Sequence, residues 1–144
     1  MASRWAARRR HDPSNRPKPP NSLGCINTII HASGVLRDSW LHNLTPDAIQ
    51  ESFRPKAAGA WYLHKHTLKD DVRHFITFSS IAVLFGNAGQ TNYSSSNAYL
   101  DSLIRLCCSK GLPALSIQWP AIADVGMAAA NESKMRLSTT TAIR

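Results

Sequence analysis

Two runs of sequence decide how this chain folds: Arg73-His74-Phe75-Ile76-Thr77-Phe78-Ser79-Ser80 and, after a loop, Gln90-Thr91-Asn92-Tyr93-Ser94-Ser95-Ser96-Asn97-Ala98-Tyr99-Leu100-Asp101. In the first, Phe75 to Phe78 is bulky and lacks strong alternation, as in a strand covered on both faces. Gly86 and Gly89 mark the loop. The second run opens a helix predicted over Thr91 to Lys110, stopped by Gly111 and Pro113. Tyr93 and Asn97 stand four residues apart and so share one face of that helix.

The same grammar extends in both directions. Upstream, Cys25 to His31 is a short apolar, β-branched run that reads as a buried strand, followed by a turn at His31-Ala32-Ser33-Gly34. Thr45-Pro46-Asp47 starts a helix: Thr caps, Pro fits the first helical position, and Asp suits the positive helix end. Pro55 kinks this helix or begins a second, which runs from Lys56 to about Thr67. Ala57, Ala60, Trp61 and Leu63 form its expected apolar face, against His64, Lys65 and His66. Downstream, Leu115 to Trp119 is a third short strand, and a short helix is expected after Asp124. Strand, helix, strand, helix, strand gives a partial Rossmann-like α/β fold, a parallel sheet of about three strands with helical crossovers. Ligands of such sheets bind beyond the carboxyl ends of the strands. Ser33, Ser80 and Pro120 fall at that edge.

Composition sets the outer bounds. The chain has 144 residues, enough for one modest core, with 43% hydrophobic and 18% charged residues, as in a globular protein. No apolar run approaches the ~20 residues of a membrane helix. The net charge of +8 is uneven, because Arg4, Arg8, Arg9, Arg10, Arg16 and Lys18 face one acid, Asp12, in the first twenty residues. Residues 1–22 therefore read as a basic, Pro-rich, disordered leader, 23–130 as the folded domain and 131–144 as a flexible tail. The leader is either a solvated end, an organelle-targeting segment or a contact for an anionic surface. Nucleic-acid binding is the weakest reading, since aromatic residues do not interleave with the cations. Cys25, Cys107 and Cys108 make no disulfide framework and point to a reducing, cytoplasmic setting. At most one of the adjacent pair faces the core. His64 and His66 lie two apart on a helix, which suits solvated side chains better than a metal pair.

Taken singly, Tyr93, Ser80, Lys56 and Asn97 have ordinary readings: a packed aromatic, a strand-end hydroxyl, a solvated lysine, a helix-face amide. Together they form a set suited to moving a proton onto a carbonyl. A phenol, with a free pKa near ~10, is a reluctant acid, and a neighbouring ammonium stabilises the phenolate it leaves behind.

The set sits within a longer resemblance. His31-Ala32-Ser33-Gly34-Val35-Leu36-Arg37-Asp38-Ser39 resembles the segment after the fourth strand of ketoreductase domains from polyketide and fatty acid synthases, members of the short-chain dehydrogenase/reductases. Arg54-Pro55-Lys56-Ala57-Ala58-Gly59-Ala60-Trp61 is similar to their lysine helix. Phe78-Ser79-Ser80-Ile81-Ala82 and Gly86-Asn87-Ala88-Gly89-Gln90-Thr91-Asn92-Tyr93 resemble their serine strand and tyrosine helix. Gly111 to Trp119 and Asp124-Val125-Gly126-Met127-Ala128 resemble the segments that come after that helix in the same domains. Asn97 after the tyrosine, with lysine taken from upstream, selects the synthase branch of the superfamily.

The resemblance implies an NADPH-dependent β-ketoacyl reductase acting on an acyl chain held by a carrier protein. Tyr93 would be the proton donor, Ser80 would hold the ketone oxygen, Lys56 would assist Tyr93, and Asn97 would orient Lys56 or a water. Ala32, Ser33, Gly34, Pro120 and Ile122 would line the cofactor, and Asp38 and Gln90 the substrate. Leu36-Arg37-Asp38 and the lack of tryptophan at Gln90 favour the D-configured alcohol. Ser33 stands where the family commonly has alanine; Val83, where it has glycine, is expected to strain the loop after Ser80 or to restrict the substrate.

No Gly-x-Gly-x-x-Gly occurs in the chain, so the phosphate cradle of the nucleotide-binding half is missing. The strand ending at His31 is then expected to expose an edge, and the fold to be marginal and to dimerise or pair with a complementary half. The rival to catalysis is an inactive fragment serving at most as a pairing half-domain.

Overall fold

The computed structural model describes residues 26–120. Their elements run, in chain order, β1 Thr28–His31, α1 Pro46–Phe53, a π turn Arg54–Ala58, α2 Gly59–His66, β2 His74–Ser80, α3 Ala82–Phe85, α4 Thr91–Ser109 and β3 Ala114–Trp119, with a short 3-10 turn at Leu41–Asn43. The three strands form one parallel sheet ordered β1-β2-β3. Ile29 pairs with Phe75, Phe78 with Ile117, and Ser80 with Trp119. This is the partial Rossmann-like α/β sheet expected from the sequence. The leader, the tail, Cys25, Ile122 and the helix expected after Asp124 lie outside the described residues.

Local chemistry explains the element ends. Thr45 accepts a hydrogen bond from the Ala48 N–H at 3.2 Å, capping α1 ahead of Pro46. At the far end of α4, Leu112 N–H bonds Cys107 O at 3.0 Å and Gly111 N–H bonds Cys108 O at 2.9 Å. That paired closure needs a left-handed residue, and Gly111 has φ 70°.

The core lies between the sheet and the helices. Ile29 and Phe75 from the strands meet Ala60 from α2 and Leu100, Leu103, Ile104 and Cys107 from α4. Leu100 is wholly buried, a gain of roughly 1.5–3 kcal/mol for a side chain of its type. Cys107 is buried and Cys108 exposed, as expected for neighbours on one helix.

The structure revises several expectations. The first strand begins at Thr28; Ile26 and Asn27 precede it as extended chain. Pro55 stands at the start of a new segment as expected, but that segment is a π turn, Arg54–Ala58, and α2 begins only at Gly59. Pro55 has no N–H to give to the carbonyl four residues back, so the turn widens. One extra residue rotates the positions beyond it by about 100°. Trp61 and Leu63 consequently face solvent, while Ala60 is buried and His64 turns inward. His64 stacks on Phe75 with ring centroids 6.3 Å apart and lies 3.6 Å from Cys107 Sγ, so it is not a solvated residue. Burial lowers its pKa. Val83 lies in α3 rather than a loop, where a β-branched side chain is tolerated.

The described residues cover the strands on one face, not two. Ile29 and His31 of β1 are buried against the helices, whereas Ile30 on the other side is 60% exposed. Leu115 and Trp119 of β3 are exposed on the side that Ile30 and Ile76 share, and β1 lies at the sheet edge. An apolar sheet face and a strand edge are thus open among the described residues.

Candidate active site

The residues expected to act collect at the carboxyl ends of β1 and β2 and along the first turns of α4. Lys56 projects from the π turn and is 3% exposed. Its Nζ donates to Phe78 O of β2 at 3.0 Å and lies 5.4 Å from the centroid of the Tyr93 ring. That distance is within the reach of a cation–π contact. Burial pushes the Lys56 ammonium down to about 8, opposed by the negative charge of Asp101. A buried lysine of this kind remains charged at neutral pH yet close to releasing its proton.

Asn97, one turn after Tyr93, is completely buried. Its Nδ2 donates to Tyr93 O at 2.9 Å, while its Oδ1 is buried with no hydrogen-bond partner among the described residues. Such an orphaned acceptor costs about 1–3 kcal/mol unless something else donates to it. Ser80 closes β2, and its Oγ accepts from the Ala82 N–H at 3.2 Å. A hydroxyl that accepts in this way keeps its own hydrogen to donate. It stands two residues beyond Phe78, whose carbonyl anchors Lys56.

The cofactor and substrate candidates separate into three groups. Ala32, Ser33 and Gly34 come directly after β1, and Ser33 Oγ donates to Pro55 O at 2.7 Å, tying this segment to the π turn. Pro120 comes directly after β3 and is exposed; Ile122 is not among the described residues. Asp38 and Gln90, far apart in sequence, are brought together: Gln90 Nε2 donates to Asp38 Oδ2 at 3.0 Å and Gln90 Oε1 accepts from Asn87 Nδ2 at 2.9 Å. Ser39 N–H reinforces this latch by donating to Gly89 O at 2.8 Å. Gly89 has φ 73° and passes within 3.6 Å of the Ser39 backbone, a place a glycine suits.

Three residues escaped the sequence reading. His31 is buried, and its Nε2 donates to Lys56 O at 3.0 Å, clasping the π turn from β1. Burial, chiefly, lowers its pKa. Asn92, 2% exposed, donates through Nδ2 to Arg37 O at 2.8 Å and Ser52 Oγ at 3.0 Å, and its Oδ1 accepts from Tyr93 N–H at 2.8 Å. It joins the Asp38 loop, α1 and the start of α4 immediately beside Tyr93. Asp101 is buried and accepts from Ser116 Oγ at 2.5 Å and Gln118 Nε2 at 2.8 Å. The available signal was a polar stripe, Tyr93-Asn97-Asp101, on a helix whose later inward positions, Leu100, Leu103, Ile104 and Cys107, are apolar.

Lys56 Nζ and the Tyr93 ring thus lie close together, with Asn97 one turn along α4 and Ser80 at the end of the strand whose Phe78 carbonyl anchors Lys56. The KR domain family model matches residues 17–124, and the chain belongs to that family, the ketoreductase domains of polyketide synthases within the short-chain dehydrogenase/reductases. It is 45% identical over 108 residues to the chalcone synthase cfoA of Aspergillus candidus, covering 74% of this chain and 4% of that protein. It is 47% identical over 94 residues to the polyketide synthase GfsB of Streptomyces halstedii, covering 65% of this chain and 2% of that one. Among solved structures it is similar to A-type ketoreductases of a modular polyketide synthase, with 37% identity, a TM-score of 0.70, and 78% of this chain and 24% of that chain covered. A ketoreductase domain from the bacillaene assembly line is similar at 31% identity and TM-score 0.67, with 82% and 30% covered. The chain therefore spans about a quarter of these ketoreductases and a few per cent of the synthases. Among the described residues, no helix is long and apolar enough to cross a membrane, and no group of His, Cys, Asp and Glu is placed to hold a metal.

Proposed function

We propose that this chain is the catalytic part of an NADPH-dependent β-ketoacyl reductase of polyketide or fatty acid synthesis, reducing a ketone on a carrier-protein-bound acyl chain. The observation that carries the reading is the buried Lys56 ammonium, 5.4 Å from the Tyr93 ring, with Asn97 one turn along the same helix.

The residues fit the reacting end of a dinucleotide. The orphaned Asn97 Oδ1 asks for a donor, and an ammonium has three donors, of which Lys56 gives one to Phe78 O. Ala32, Ser33 and Gly34 after β1, with Pro120 and Ile122 after β3, are the backbone that would hold the nicotinamide and its ribose. The chain has no glycine-rich cradle for the pyrophosphate. When bound, the cofactor supplies the hydride. Ser80 Oγ–H donates to the ketone oxygen and places it. Tyr93 gives its phenolic proton to the forming alkoxide, and the Lys56 ammonium stabilises the phenolate that remains. Asn97 keeps Lys56 or a water in line to return the proton. Acid catalysis of this kind contributes roughly 10²–10⁴-fold. Asp38 and Gln90, latched together, border the substrate, with the D-configured alcohol as product.

The open apolar sheet face and β1 edge support a pairing partner, a complementary half bearing the nucleotide cradle or a second copy. An inactive fragment that only pairs is the competing reading. Both are tested by following NADPH oxidation at 340 nm with a β-ketoacyl thioester, using the chain alone and mixed with the glycine-rich half of a related ketoreductase. The expected result is silence alone and turnover in the mixture, lost by at least about 10²-fold in Tyr93→Phe. A mixture that forms a complex and binds NADPH, yet shows no Tyr93-dependent oxidation, refutes the catalytic reading.

A further inference from the structure

Among the described residues, Lys56 is the one lysine or arginine and Asp101 the one carboxylate that are buried. Isolated charges are costly away from water, and buried ones are held by partners of opposite sign. The sheet register shows how these two stand. Lys56 Nζ is bonded to Phe78 O, and Phe78 pairs with Ile117 on the next strand. Asp101 is held by Ser116 and Gln118, on either side of Ile117. Ammonium and carboxylate therefore lie at one level of the sheet, Lys56 against β2 and Asp101 against β3, without a direct ion pair between them. Asp101 also stands one helical turn beyond Asn97, which puts Tyr93, Asn97 and Asp101 in a single stripe.

We propose that Asp101 is the buried counter-charge of Lys56, a positioning residue that keeps the ammonium charged and directed at Tyr93. The inference rests on the reductase reading for its purpose, but the charge pair is measurable without turnover. Two donors, Ser116 Oγ and Gln118 Nε2, leave Asp101 acting as a pure acceptor, the role of a carboxylate. Burial alone pushes the Lys56 ammonium downward, and Asp101 is the group that opposes it. The other ionisable groups packed around Lys56 are Tyr93 from α4 and His31 from β1, and burial lowers the pKa of His31. The adjoining positions of β2 and β3 are Thr77, Ser79, Ser116 and Gln118, none of which titrates. Arg54, in the same turn as Lys56, is exposed.

The plain alternative is that Asp101 only ties α4 to β3. Asp101→Asn separates the two, because the asparagine keeps both ties if the Gln118 amide turns over, and loses only the charge. The full chain, labelled with 13C at lysine Cε, is titrated by NMR, and Lys56 is assigned among the six lysines by its loss in Lys56→Arg. The wild-type midpoint is expected near the value of about 8. In Asp101→Asn it is expected to fall by about one unit or more, the effect of removing a nearby opposite charge. Asp101→Glu, which keeps the charge, and Ser116→Ala, which cuts a tie and keeps the charge, should both leave it near wild type. If Asp101→Asn does not fold, Asp101→Ser, small enough to admit a water, is read the same way. A folded charge-deleted variant with an unmoved Lys56 midpoint overturns the proposal. So does a Ser116→Ala shift as large as that of Asp101→Asn. A chain that shows the expected shift but never reduces a ketone when mixed with the glycine-rich half keeps the charge pair and refutes the reductase reading instead.

Discussion

Lys56→Met is expected to make the protein more stable at neutral pH while removing the group on which the proposed chemistry depends. The ammonium lies 3% exposed, with its pKa taken from 10.5 to about 8 by burial. A drop of that size corresponds to a cost of about 3 kcal/mol to the charged folded form. Methionine fills a similar space without that cost. Against the gain stand the lost hydrogen bond to Phe78 O, about 1 kcal/mol, and Asp101 left without its cation. The net expectation is a stabilisation of about 1–2 kcal/mol at pH 7, a rise in urea midpoint on the order of 1 M. Proton counting gives the sign with pH. The folded pKa lies below the unfolded one, so between about pH 8 and 10.5 the unfolded chain binds more protons, and wild-type stability rises with pH. The Met variant lacks this dependence, so its advantage shrinks across that window and disappears above it. Urea unfolding monitored by fluorescence of the four tryptophans measures both. A variant less stable than wild type at pH 7, with a difference that does not change up to pH 10.5, refutes the reasoning. A site that holds a residue against stability is the usual trade between activity and stability.

Two further substitutions probe the supports of the site. Asn92→Ala removes the donors to Arg37 O and Ser52 Oγ and leaves fully buried Ser52 short of a partner; urea unfolding should show a loss of about 2–3 kcal/mol, and a loss below about 0.5 kcal/mol contradicts the bracing role. Gly59→Ala ordinarily adds about 1 kcal/mol to a helix, but here the new Cβ comes 3.1 Å from His31 Cε1. The ring must yield its bond to Lys56 O, so no gain is expected; a full helix-propensity gain, with unchanged His31 ring resonances, shows the clasp to be unimportant.

The fold was legible where one local rule governed. Thr45-Pro46-Asp47 and Gly111 marked helix ends because caps and left-handed turns depend on single residues. The order of strands and helices came from runs of apolar residues. The interior side of α2 was not legible, since it depends on one widened turn at Pro55 that shifts all later positions. The strand spanning Phe75 to Phe78 suggested cover on two faces, because a strand's residues record the surroundings it is built for, and the described residues supply helices on one side. At the proposed site, Tyr93, Ser80, Lys56 and Asn97 were singled out by residue type, spacing and resemblance. Asn92, His31 and Asp101 were not, because their work is done through backbone carbonyls and through partners on other strands. Nothing in a linear pattern reveals that Ser116 and Gln118 converge on one carboxylate.

The widened turn carrying Lys56 differs from an ordinary helical turn by a single amino acid. In the language of genes, the ammonium is one codon away from a plain helix. Point mutations elsewhere in α1 and α2 change side chains but leave this count alone, whereas an in-frame triplet lost between Arg54 and Ala58 would swing the segment round and carry the amine off its strand carbonyl. Loss of one residue from this turn would thus displace the amine as surely as replacing Lys56 would remove it.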